Sequence, residues 1–229
     1  MFRMTLGSLM RGKLIVIDGG DGSGKTTQVS LLKAWFEKTK NPAYFIKFPR
    51  YETFYGKIVA QFLRGEFGSL QDVSPYLASL PYALDRMDAR EEMEKQLSEG
   101  KHIVCDRYVT SSIAHHSAKI ETVDEQKVYK EWVEALEYDH HRMPRPDLVI
   151  SLYVPWQIGL KLTWKIEKNR AYIDRADIHE RDYEYRQTVE AMYRHLAKTE
   201  KNWIEINCVD EKGTLLSSQE IHKKIVRVV

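Results

Sequence analysis

Lys25 and Thr26 are the first residues in this chain whose spacing implies chemistry. They close the stretch Gly19-Gly20-Asp21-Gly22-Ser23-Gly24-Lys25-Thr26-Thr27. Glycines at this spacing let successive backbone N–H groups curl around an anion. A lysine there can reach the β- and γ-phosphates of a nucleoside triphosphate, and the first threonine hydroxyl can ligate Mg²⁺. The run Leu14-Ile15-Val16-Ile17-Asp18 enters the turn with a β-type pattern, and a helical pattern from Lys25 to Thr39 leaves it. Strand before and helix after are the context that makes this pattern a phosphate loop. The helix adds the positive field of its N-terminus.

Three further clusters carry charge or hydrogen-bonding groups in suggestive places. Ile103-Val104-Cys105-Asp106-Arg107-Tyr108 is a buried-type strand ending in an acid and a base. Ligands of α/β sheets sit at the carboxyl ends of strands, so this pair should project near the phosphate loop. Asp106 could then hold Mg²⁺ through water, and Arg107 could stabilise charge on a transferring phosphoryl group. The plain alternative is a salt-bridged strand end. Phe48-Pro49-Arg50-Tyr51 follows a second strand-like run and offers an arginine and a hydroxyl. Tyr82 and Arg86 are four apart in Tyr82-Ala83-Leu84-Asp85-Arg86, so they share a helix face. An aromatic plane beside a guanidinium can stack a base and bond its carbonyl edge.

These groups need elements to position them. Short apolar or β-branched runs at 13–18, 43–48, 102–106, 147–153 and 202–207 read as strands. Helical periodicity marks 25–39, 55–64, 74–98, 109–117, 125–139, 156–168, 178–200 and 217–228. In 74–98 the helical spacing of Tyr76, Leu77, Leu80, Leu84, Met87, Met93 and Leu97 predicts the buried stripe, and Pro81 predicts a kink or an early break. In 178–200 the stripe is Tyr185, Val189, Met192, Tyr193 and Leu196. Alternating strands and helices predict an α/β fold with a parallel five-stranded sheet flanked by helices. Residues 168–177 are charged and aperiodic, which predicts a surface loop.

With 229 residues the chain suffices for one α/β domain, over 13–229, with 1–12 as an N-terminal extension. Lys and Arg number 35 and Asp and Glu 33, so the formal charge is only +2, which argues against a dedicated nucleic-acid binder. No apolar run reaches the length of a membrane span. Cys105 and Cys208 lie far apart without metal-type spacing, which points to reduced thiols and a cytoplasmic protein. Adjacent residues on a helix diverge, so His115 and His116 make a poor metal pair.

Taken in order, Gly19–Thr27, Phe48-Pro49-Arg50-Tyr51, Tyr82-Ala83-Leu84-Asp85-Arg86, Asp106-Arg107-Tyr108-Val109-Thr110-Ser111-Ser112 and Asp177-Ile178-His179-Glu180-Arg181-Asp182 resemble the motifs of thymidylate kinases over nearly the whole chain. The resemblance implies a three-layer P-loop NTPase fold with a short lid, and the reaction MgATP plus dTMP giving ADP plus dTDP. It also implies a homodimer packed through helices. Under it, Asp21 faces the acceptor's 3′-hydroxyl or a magnesium-bound water, and Tyr82 stacks on thymine. Arg86 bonds the carbonyl at position 4, Ser112 with its neighbour Ser111 lies at the base edge, and Arg107 binds the acceptor phosphate with Arg50 or Tyr51 beside Phe48. Residues 168–177 become the lid. Some relatives carry an arginine in the phosphate loop where this chain has Gly22, so Lys168, Arg170 or Arg175 is the expected substitute. Two positions depart from the family pattern: Asp18 replaces a glutamate, and Ala114-His115-His116 replaces Ala-Tyr-Gln, which brings sugar selectivity to His115. The competing readings are another nucleotide or deoxynucleoside kinase on the same fold, and a P-loop regulatory NTPase. The chain has no Asn-Lys-x-Asp guanine-reading motif, which counts against the second.

Overall fold

The computed structural model describes residues 11–69, 72–167 and 183–229. Residues 1–10, most of the expected extension, lie outside the described residues. So do the lid at 168–177 with Lys168, Arg170 and Arg175, and the motif at 177–182.

Five parallel strands form one sheet: β1 (Leu14–Asp18), β2 (Ala43–Lys47), β3 (His102–Asp106), β4 (Leu148–Tyr153) and β5 (Trp203–Asn207), in the order β2-β3-β1-β4-β5. All five expected strands are present within one residue of the expected ends. Each of β1, β3 and β4 is buried through most of its length, as strands covered on both faces must be. Side chains alternate between the faces. Leu14 and Val16 enter one core with Ile103, Cys105 and Val149, while Ile15 and Ile17 enter the other with Val104, Ile150 and Leu152.

Helices cover both faces. α1 (Lys25–Thr39) and α9 (Ser218–Val226) supply Leu32, Phe36, Ile221 and Ile225 to the second core. The first core is filled by α4 (Arg90–Ser98), α5 (Val109–Ser117), α6 (Val123–Glu134) and α8 (Tyr183–Thr199). α2 (Phe54–Leu63) and α3 (Pro75–Asp88) pack on each other, and α7 (Trp156–Glu167) follows β4. The expected α8 stripe is buried throughout.

Three expectations need correction. The span 74–98 is two helices, and the break falls at Ala89 (φ −91°, ψ −6°), not at Pro81, which sits inside α3. Proline removes the bond to the Leu77 carbonyl, but Leu77 is 62% exposed, where water can take that carbonyl. The buried face of α3 is also not the leucine stripe: Leu77 and Leu80 are exposed, and Ala78, Ser79, Ala83, Asp85 and Arg86 are inside. The helix after α6 also ends differently from expectation, as a π-helical turn over Ala135–His140.

β1 sits between β3 and β4, so the chain leaves it toward β2 on one side and β4 and β5 lie on the other. That reversal opens a crevice at the carboxyl end of β1, where doubly wound sheets bind ligands. Among the described residues no helix is long and apolar enough to cross a membrane.

Candidate active site

The phosphate loop occupies this switch point. Gly19, Gly22 and Gly24 hold φ of 137°, 78° and 88°, which side chains rarely tolerate. At Gly22 the crowding is absolute: an added Cβ would stand 2.1 Å from the Gly159 carbonyl oxygen of α7. The arginine that some relatives carry at this position cannot be housed here. Lys25 is buried at the start of α1, and its Nζ donates to the Gly19 carbonyl at 2.9 Å, the Gly20 carbonyl at 2.7 Å and Ser23 Oγ at 3.4 Å. Burial and the neighbouring Arg107 charge lower its pKa to about 8. Thr26 Oγ1 donates to Asp106 Oδ2 at 3.0 Å, so the loop's hydroxyl and the acid at the end of β3 meet as expected. Lys47 Nζ stands 3.8 Å from the same oxygen. Gly20 and Thr27 complete the loop and the first turn of α1.

Arg107 follows β3 directly. Its backbone takes a φ of 68°, sparsely populated outside glycine, and its N–H donates to the Ile17 carbonyl at 3.1 Å. This turn extends the β1–β3 pairing by one bond and aims the guanidinium across the crevice. Arg107 Nη2 forms a short ion pair with Asp21 Oδ1. Nη1 donates to Ser111 Oγ at 3.4 Å and meets His115 Nε2 at 3.2 Å. Burial disfavours the charged form of Asp21, but the Arg107 charge, with Lys25, outweighs it and holds the carboxyl far below the usual range. Burial likewise opposes charge on Arg107, and Asp21 overrides it, so the pKa is raised.

Arginine only donates, so His115 Nε2 accepts and the ring proton sits on Nδ1. Nδ1 lies 3.2 Å from Tyr185 Oη, whose own proton goes to the His115 carbonyl at 3.0 Å. His115 is thus held between Arg107 on one side and α8 on the other.

A cleft of about 220 Å³ opens beside the loop. Asp21, Arg107, Ser111, His115, Phe48, Tyr51, Tyr82, Arg86 and Ser112 line it. Tyr82 presents its ring edge-on between Phe62 and His116. Arg86 is 2% exposed and donates from Nη2 to Ser112 Oγ at 2.9 Å. Arg50 goes elsewhere. Its backbone N–H and Nε bond the Asp85 carboxylate at 2.8 and 3.1 Å, and Nη2 pairs with Asp88 at 2.7 Å. Of the two residues left open after Phe48, Tyr51 faces the cleft and Arg50 ties the cis Phe48–Pro49 turn to α3.

Several contributors were given no site role by the sequence. Asp18 is fully buried, accepting from Gly19 N–H, Ser111 Oγ and Tyr193 Oη on Oδ1 and from Thr110 Oγ1 on Oδ2, all between 2.6 and 2.9 Å. It straps the base of the phosphate loop to α5 and α8. Burial and the Asp18 charge raise the Tyr193 pKa well above the usual range. Glu137, on the π-helical turn, is fully buried against Arg86. A charge at a core position was the available hint for it. Arg186 on α8 is buried and borders, with Asp21, a second, small pocket of about 30 Å³.

A glycine-rich phosphate loop at the switch point of a parallel sheet, with an arginine-lined cleft beside it, defines a P-loop kinase of a small phosphorylated acceptor. Comparison with known proteins makes this particular. The family model described as thymidylate kinase matches residues 17–221. A probable thymidylate kinase of Pyrococcus abyssi is 30% identical over 96% of this chain and 97% of its own. The thymidylate kinase of Mycobacterium tuberculosis is 33% identical over 80% of this chain and 85% of its own. The solved structure of the Candida albicans thymidylate kinase superposes with a TM-score of 0.68 at 22% identity, covering 95% of this chain and 91% of that one, and so shares the fold. The chain belongs to the thymidylate kinase family, and its phosphoryl donor is a nucleotide.

Proposed function

We propose that this chain transfers the γ-phosphoryl group of MgATP to dTMP, giving ADP and dTDP on the way to dTTP. The observation that carries this reading is the cleft that brings Asp21 of the phosphate loop and Arg107 together with Tyr82, Arg86 and Ser112. It has cations at the end where phosphates must meet and a stacking and bonding set where a base must be read. The acceptor is already a phosphate oxyanion, so the chain needs no strong general base. Its contribution is positioning and charge neutralisation.

In this reading Lys25 exchanges its loop carbonyls for the β- and γ-phosphates. Arg107 shifts from Asp21 to the acceptor phosphate, helped by the Tyr51 hydroxyl. Asp21 takes the 3′-hydroxyl or a metal-bound water. Thr26 Oγ1 and Asp106 Oδ2 are hard oxygen donors 3.0 Å apart, which suits Mg²⁺, an ion that keeps most of its shell as water and substrate phosphate. When bound, Mg²⁺ neutralises charge on the phosphate oxygens. The cation opposite the transferring group is proposed to be Arg170 or Arg175. We also propose a cytoplasmic homodimer packed through helices, with no nucleic acid as partner.

The deciding experiment is a turnover panel with dTMP, dUMP, UMP, dCMP and thymidine at saturating MgATP. The expected result is turnover that depends on a monophosphate, with dTMP preferred. Preference for UMP or dCMP would transfer the chain to another acceptor. Nucleotide hydrolysis without any monophosphate would make it a regulatory NTPase.

A further inference from the structure

Glu137 breaks the pattern of its own helix. It follows buried Tyr129 and Val133 at four-residue steps, on a face where a core-facing helix places apolar side chains. Local rules broken in this way are expected at functional sites. A buried carboxylate persists only with a partner, and its partner is Arg86. Arg86 Nε donates to Glu137 Oε1 at 2.9 Å, and Nη2 makes a short ion pair to the same oxygen. Nη2 also donates to Ser112 Oγ at 2.9 Å, and Nη1 to the Tyr108 carbonyl at 3.3 Å. Guanidinium has five N–H groups in one rigid plane. Four are thus directed at protein, and among the described residues the fifth, on Nη1, remains for the cleft that Arg86 lines. Ser112 Oγ accepts from Arg86, so its own proton is available to be donated.

We propose that Glu137 is a positioning residue for base recognition. It locks the Arg86 plane so that the spare Nη1 hydrogen and the Ser112 hydroxyl proton are both offered to a carbonyl oxygen. A pyrimidine with a 4-keto group is then taken over one with a 4-amino group. This rests on the reading that Arg86 and Ser112 meet the base; Glu137 itself does not touch it. The charge is needed because burial alone disfavours the guanidinium, and Glu137 reverses that balance, raising the Arg86 pKa.

The test is steady-state kinetics with dTMP and dCMP at saturating ATP, and with ATP at saturating dTMP, on wild type, Glu137→Gln, Glu137→Asp and Arg86→Lys. Gln keeps the shape and an acceptor oxygen without the charge. Asp keeps the charge one methylene back and serves if the Gln variant does not fold. Loss of orientation should raise the KM for dTMP about ten-fold and shrink the dTMP-to-dCMP preference about ten- to a hundred-fold, with kcat for dTMP and the KM for ATP near wild type. A folded Glu137 variant with dTMP KM and preference within about two-fold of wild type overturns the proposal. So does a KM for ATP that rises in step with that for dTMP, which marks general structural damage. If Arg86→Lys erases the preference while the Glu137 variants keep it, only the role of Glu137 falls. If Arg86→Lys leaves the preference intact, the reading of Arg86 falls with it.

Discussion

Lys25 is parked on its own loop, its ammonium held by two carbonyls while its pKa is lowered to about 8 by burial and Arg107. The charged form therefore predominates below about pH 8 in the free chain and is lost above it. Because kcat/KM reports the free enzyme, kcat/KM for ATP should hold below that pH and fall above it, as a pH profile with ATP varied will show. Removing either transition-state cation, as Lys25→Ala or Arg107→Ala, should cost about 10²–10⁴ in turnover. A folded variant keeping more than about a tenth of wild-type turnover would remove that residue from the reaction. His115 lines the cleft, and its Nε2 accepts from Arg107. His115→Tyr should therefore change both the dTMP KM and the ratio of ribo- to deoxynucleotide turnover. An unchanged ratio in competition assays takes His115 out of sugar choice.

Elements set where those residues can stand. The phosphate loop and α7 approach through two glycines: a Cβ on Gly159 would meet the Asp21 carbonyl oxygen at 2.5 Å, as one on Gly22 would meet Gly159 at 2.1 Å. Contacts that short involve backbone on both sides, so no side chain can give way. Gly159→Ala should push α7 off the loop and cost about 1–3 kcal/mol of stability, read by urea denaturation. It should also cost about 10² in turnover, because misplacement of about 1 Å is enough to lose near-attack geometry. Wild-type turnover in this variant would mean the loop tolerates displacement. Asp18 is a second such constraint, since four hydrogen bonds from three elements converge on one short carboxylate.

At the scale of the whole molecule, the two faces of the sheet are filled by separate cores, and the cleft opens where the strand order reverses. Apolar groups remain outside both cores on the packed α2–α3 pair: Phe54 is 74% exposed and Leu77 62%, with Phe67 and Leu80 nearby in sequence. Exposed apolar side chains of this kind are what an isologous interface would cover. Leu77→Glu should convert the proposed dimer to a monomer in sedimentation velocity while leaving the fold intact by circular dichroism. A wild-type chain that sediments as a monomer at micromolar concentration removes the homodimer.

The sequence by itself determined the five strands, the phosphate loop and the set of groups that meet around the cleft. Those features are encoded by neighbours: short apolar or β-branched runs bounded by glycine, proline, asparagine or charge, and a motif within nine residues. Tertiary structure decided the rest. Pro81 was legible as a local breaker, yet α3 passes through it and breaks at Ala89, with Leu77, whose carbonyl loses its helical bond, on the exposed side of the helix. The leucines of α3 were legible as apolar, but which face is buried depended on what packs against that helix. Whether Arg50 or Tyr51 enters the cleft was settled by Asp85, 35 positions away. Asp18 acquires its strap from Tyr193, 175 positions on, and Arg86 its counter-charge from Glu137, 51 positions on. Such pairs leave no trace in local periodicity. They form only when the sheet closes and brings distant side chains into a volume with no water to share.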